Sequence, residues 1–128
     1  MQTKYKIALA MLASAGLGAA AIQGLHAQAK APAYVVVEID VSNQDAFLKE
    51  YAPIAGKAIT AGGGKYLARG GKNVSIDGAP PPARTVVIAF DNMEQAQATF
   101  ASAAYRDGRK TGDKYAKFRI WAVEGLAK

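Results

Sequence analysis

The chain has 128 residues, with 16 Lys or Arg against 10 Asp or Glu, one His, no Cys and a formal net charge of +6. Hydrophobic residues make up 51% and charged ones 20%, a balance that allows one domain with a modest core and excludes a disordered chain or a multi-span membrane protein. Without Cys, disulfides, thiolate metal sites and thiol nucleophiles are excluded.

Lys4 and Lys6 precede an uncharged run from Ile7 to Ile22 made mostly of Ala, Leu and Gly. A basic start, a short apolar stretch and small residues at Ala27-Gln28-Ala29 together have the form of a secretory signal peptide. The run is shorter than the roughly 20 residues that cross a bilayer, so cleavage is expected in preference to a retained N-terminal anchor. The cut is placed after Ala29, with a cut after Ala27 as the runner-up. Residues 1–29 are thus read as an address and 30–128 as a single exported domain, periplasmic or secreted, with no stable membrane insertion after cleavage. Removal takes Lys4, Lys6 and His26 away and leaves 14 basic and 10 acidic side chains, a net charge of +4. A domain with neither His nor Cys cannot run a Ser-His or Cys-His mechanism, ligate haem through imidazole or build a His-based zinc site.

Ala33 to Asp40 (AYVVVEID) is a β-branched run and predicts a strand. Ser42 with Asp45 resembles a capping box, and Phe47, Tyr51, Ile54 and Ala58 recur at helical spacing. Pro53 removes one backbone donor and clashes with the preceding turn, so this helix is expected to kink or split there. Gly62-Gly63-Gly64 ends it. Lys65 to Arg69 (KYLAR) predicts a second strand, with a bulge or sharp bend at Gly70-Gly71 before Asn73 to Ile76 continues extended. Asp77 to Ala83 (DGAPPPA) predicts a turn or stiff loop. Thr85 to Phe90 (TVVIAF) predicts a third strand. Asn92 and Gln95 then cap a second helix with Met93, Ala96, Phe100 and Ala103 on one face, ended by Gly108 and Gly112. Phe118 to Glu124 (FRIWAVE) predicts the last strand.

The order βαββαβ implies a ferredoxin-like α+β domain: a four-stranded antiparallel sheet, two helices on one face, strands one and three in the middle. Alternate positions are apolar on both faces, with Val35, Val37 and Ile39 against Tyr34 and Val36. Two helices cover one face, so the other is expected to meet a second copy of the chain, sheet against sheet.

Several stretches carry a family resemblance: Tyr34 to Asp40, Tyr51, Gly63-Gly64-Lys65-Tyr66-Leu67-Ala68-Arg69-Gly70-Gly71, Arg84 before Val86-Val87-Ile88, Phe90, Tyr105 and Val123-Glu124-Gly125. Together they resemble the uncharacterised family named domain of unknown function 1330. The resemblance covers essentially all of residues 30–128 and implies a dimeric α+β barrel. It carries no agreed activity and hence no catalytic residue. Relatives with that barrel include cofactor-independent monooxygenases, haem-degrading enzymes and small isomerases, several of which depend on a histidine that this domain lacks.

Tyr34 and Glu38 share the strand face opposite the aliphatic one. With Arg69, Arg119 and Trp121 they form a candidate set for a small anionic or aromatic ligand. The competing reading is a structural ion pair of Glu38 with an arginine inside a dimer interface. Arg106 to Arg119 is the most basic stretch, read as a solvated surface in preference to a lipid-binding one; nucleic-acid binding is not expected. Lys65 and Lys72 lack the surroundings of a phosphate loop, and the scattered acids show no metal-ligand spacing. The reading preferred is a homodimer that binds a small molecule between sheet and helices without metal or cofactor. Its alternatives are a cofactor-independent monooxygenase- or isomerase-like enzyme in the same cleft, and a structural envelope-associated protein.

Overall fold

The computed structural model describes residues 30–127, so the signal peptide expected over 1–29 lies outside the described residues. The compact unit, Ala31–Leu126, begins with β1 (Ala33–Val41). A helical stretch follows, built from α1 (Gln44–Ala46), a π-helical turn (Phe47–Tyr51) and α2 (Ala52–Ala61). Next come β2 (Lys65–Arg69), β3 (Arg84–Phe90), α3 (Met93–Ala101), α4 (Ala103–Gly112) and β4 (Ala116–Glu124).

The strands form one antiparallel sheet in the order β2-β3-β1-β4. Strands one and three lie in the middle, as the crossover argument requires. Ala33, Val35, Val37 and Ile39 are buried, as are Val86, Ile88 and Phe90 on β3. They meet Phe47, Tyr51, Ala55, Ala58 and Ile59 of the first helical stretch and Ala96 and Tyr105 of the second. Alternation along the strands therefore sends one aliphatic row under the helices and leaves the other outside.

Pro53 acts by a specific device. An α-helix through this point would set its ring against the carbonyl of Lys49, but the preceding turn is widened, and the Ala52 N–H donates to the carbonyl of Phe47, five residues back. Pro53 then falls in the first turn of α2, where it is tolerated. The widened turn also changes the phase of the buried face. Tyr51 is followed inward by Ala55, Ala58 and Ile59, while Ile54, expected in the core, is 41% exposed. The N-cap is Asn43, whose side chain accepts from the Ala46 N–H; Ser42 instead donates its hydroxyl to the Tyr115 carbonyl.

The second helix, expected to be continuous, is broken at Ser102, which has extended backbone angles. Its hydroxyl donates to the Thr99 carbonyl at 2.6 Å and accepts from the Tyr105 N–H at 3.2 Å, ending α3 and starting α4. The break turns Tyr105, Gly108 and Gly112 inward, while Ala103 stays exposed. The bulge also sits earlier than expected, between Tyr66 and Ala68. Gly70 supplies the bend after β2 with φ +67, and the chain from Gly71 to Ala83 is irregular, with the Asn73 amide donating to the Pro82 carbonyl. Replacing Ser102 by Ala is expected to lower stability by about 1 kcal/mol through loss of the cap. Urea unfolding measures it, and an unchanged midpoint would show that the cap does not hold the break.

Candidate functional site

Four of the five residues singled out above lie together on the outer sheet face. Glu38 stands opposite Arg119, Val36 opposite Trp121 and Tyr34 opposite Val123 across β1 and β4. Arg119 Nη1 donates to Glu38 Oε1 at 3.3 Å, and its guanidinium lies 5.0 Å from the centre of the Trp121 ring. The arginine side chain is 78% exposed, so this is a surface cross-strand pair of modest strength. Arg69 does not join it. The bulge leaves Leu67 without a partner and reverses the alternation: Tyr66 pairs with Ile88 and Arg69 with Val86, both buried, so both side chains belong to the helix face.

On that face, between sheet and helices, lies a cavity of about 40 Å³, room for about three waters. Its walls are mainly apolar, with Val37, Ile39, Phe47 and Ile88 among them, and its polar groups are Tyr51, Tyr66, Tyr105, Arg69 and Arg84. Arg84 opens β3 and continues inward the row of Val86, Ile88 and Phe90. Its guanidinium lies 5.5 Å from the centre of the Phe47 ring, and its Nε is buried with no hydrogen-bond partner. Arg69 lies 4.5 Å above the ring of Tyr66. Among the described residues neither arginine makes an ion pair with a carboxylate.

Burial, and then the neighbouring Arg69, push the Arg84 pKa below its ordinary value. Two cations facing one apolar cavity without a counter-charge are what an anion would neutralise. Gly70 makes this placement feasible, because a Cβ there would run into Arg84 Nη1. Its positive φ also disfavours any other residue.

The tyrosines supply donors. The Tyr51 and Tyr105 hydroxyls lie 3.0 Å apart and buried. Burial first, and then Tyr105, hold the Tyr51 pKa far above the ordinary phenol value. Burial also raises that of Tyr66, against the opposing pull of Arg69. Both phenols therefore stay protonated at neutral pH and act as hydrogen-bond donors rather than bases. Much of the basic stretch serves structure. Arg109 bonds Asp113 at 2.8 Å and stacks 4.0 Å from the centre of the Phe118 ring, and Lys110 faces Asp107 at 3.7 Å.

Sequence reasoning missed Arg84, Tyr51, Tyr66 and Tyr105 as site residues. Arg84 was legible, since it shares the two-residue period of Val86, Ile88 and Phe90. Tyr66 and Arg69 were not, since residues three apart on a regular strand face opposite ways and only the bulge reunites them. Among the described residues no three His, Cys, Asp or Glu side chains gather to hold a metal, and no helix is long and apolar enough to cross a membrane.

Element order, sheet order and helix placement define a ferredoxin-like α+β protein with an arginine-lined cleft under its helices. The chain belongs to the family described as domain of unknown function (DUF1330), whose model matches residues 32–126. A protein of unknown function from Rhodopseudomonas palustris is 13% identical and superposes with a TM-score of 0.62 over 76% of this chain and 84% of its own. A conserved protein of unknown function from Bacteroides thetaiotaomicron, described as a possible oxidoreductase, is 12% identical, with a TM-score of 0.52 over 76% of this chain and 100% of its own. At these identities the likeness is one of fold. No curated protein matches the chain.

Arg84→Met keeps the unbranched apolar stem of the side chain while removing the unpartnered cation. In ligand-free protein it is expected to raise the melting temperature by several degrees, since an unsatisfied buried donor costs about 1–3 kcal/mol. Differential scanning calorimetry decides, and a lowered melting temperature would mark Arg84 as a structural residue.

Proposed function

We propose that the protein binds a small organic anion, a carboxylate or an enolate, in the cleft between sheet and helices. The observation that carries this reading is the convergence of Arg69 and Arg84 on one mainly apolar cavity without a carboxylate, with Arg84 Nε unpartnered. In such a ligand the charged end takes both guanidinium groups and the carbon next to it lies against Phe47, Ile88 and Ile39. The Tyr51–Tyr105 hydroxyl pair lends a donor or acceptor deeper in.

Binding is favoured over cofactor-free proton transfer by the same geometry. The polar groups of the cavity are phenols and guanidiniums, and the raised pKa values of Tyr51 and Tyr66 keep both from serving as bases near neutrality. A purely structural role is disfavoured by the cavity itself, which side chains do not fill.

Calorimetric titration with acetate and propionate tests the reading. Binding is expected to be flat from about pH 6 to 9, because arginines stay cationic and raised phenols stay neutral there. It weakens only above the ordinary phenol value of 10, where a tyrosinate would repel the anion. In Arg84→Gln it falls about tenfold or more, as one lost charge-assisted pair requires. Binding that titrates between about pH 6 and 9, or that survives Arg84→Gln, would overturn it.

The working form is an exported homodimer in this proposal. Export is supported by the basic, apolar and small-residue sequence of residues 1–29. Dimerisation is supported by the outer sheet face, where Tyr34, Val36, Val87 and Ala89 adjoin Trp121 at 40% and Val123 at 51% exposure. An apolar strip of this kind on a small domain is best covered by its own copy. Native mass spectrometry of protein recovered from the exported fraction is expected to show chains beginning at Lys30 and paired as dimers. Chains retaining residues 1–29 would overturn cleavage, absence of the protein from that fraction the export reading, and a monomer mass the dimer.

A further inference from the structure

The anion cleft does not end at Arg69. Tyr66 and Arg69 line the inner cavity on one side, and on the other they line an open groove along α2, shared with Pro53, Gly56, Lys57 and Thr60. The stacked Tyr66–Arg69 pair is therefore a wall common to two spaces. Gly56 stands across from Arg69, and a Cβ there would come within 3.5 Å of Arg69 Nη2. The helix thus presents bare backbone where the two spaces adjoin. On the groove side the charged residues are Lys57 and Arg69, with no acid among the lining residues. Lys57 makes no ion pair among the described residues.

Resting on the anion-binding reading above, we infer that the ligand carries two anionic ends: one held in the cavity by Arg84 and Arg69, the other in the groove beside Lys57 and Thr60. A cavity of about 40 Å³ accommodates a carboxylate and little more. Any longer ligand has to swing the exposed Arg69 side chain away from Gly56, and the groove it then enters is lined by Lys57 and Thr60 together with Pro53 and Ala61. Arg69 lies between the two ends and serves both. The chemical class is an organic dianion such as an aliphatic dicarboxylate or a phosphorylated carboxylic acid.

The test is a calorimetric series with straight-chain dicarboxylates from three to eight carbons, each against the monocarboxylate of equal length, with glycerol 3-phosphate and 3-phosphoglycerate as a second pair. One dicarboxylate length, or 3-phosphoglycerate over glycerol 3-phosphate, is expected to bind at least about fivefold tighter, the upper range for one partly exposed ion pair. That advantage is expected to shrink as salt is raised and to vanish in Lys57→Gln. Dianions no tighter than their monoanions, or an advantage that survives Lys57→Gln, would overturn the two-ended ligand while leaving the cleft an anion site. Failure of all these anions to bind would overturn both readings together.

Discussion

The central strand β1 is paired along its length with β3 on one side and β4 on the other, and every other feature is placed by which way its side chains alternate. Val35, Val37 and Ile39 go inward and order the helices over them; Tyr34, Val36 and Glu38 go outward. With a period of two, a side chain's face is fixed by its distance along the strand from a neighbour whose face is known. Ion pairs, aromatic contacts and the cleft all inherit their side from this rule.

The one interruption to that rule creates the site. At Leu67 an extra residue enters β2, so Tyr66 and Arg69 both face the helices, although regular alternation would part them. Bulges are frequent at sheet edges, where a strand has one neighbour and the lost pairing costs least. Here the bulge carries a cation into the apolar space where Arg84 already points, and Gly70 leaves room for the second guanidinium. Three local departures from regular structure, the bulge, the π turn before Pro53 and the break at Ser102, lie around the same cavity. The π turn brings Phe47 and Tyr51 to its wall, and the break brings Tyr105.

The two sheet faces treat charge differently. On the outer face Glu38 answers Arg119 across neighbouring strands, and the pair is satisfied without help. On the inner face two arginines share a space with phenols and hydrocarbon. A folded chain carries such an arrangement at a cost in desolvation and like-charge repulsion. An anion bound between them offsets both terms, which is why the inner face, and not the outer one, carries the functional reading.

Sequence alone was enough for the βαββαβ order, the strand order, the aliphatic inner face of β1 and the interruption at Pro53, because these depend on local propensity and on periods of 2 and 3.6 residues. It was also enough for the family and for the absence of imidazole and thiol chemistry from residues 30–128. Glu38, Arg119, Tyr34 and Trp121 could be grouped from spacing, since β1 and β4 are regular. Arg69 could not be placed, nor Tyr66, Tyr105 and Arg84 joined to it. Where an extra residue enters a ladder, which turn of a helix widens and where a serine breaks it are decided by long-range packing, which no single-strand period records. Tertiary structure alone therefore decided that the arginines face the helices and leave a cavity between them.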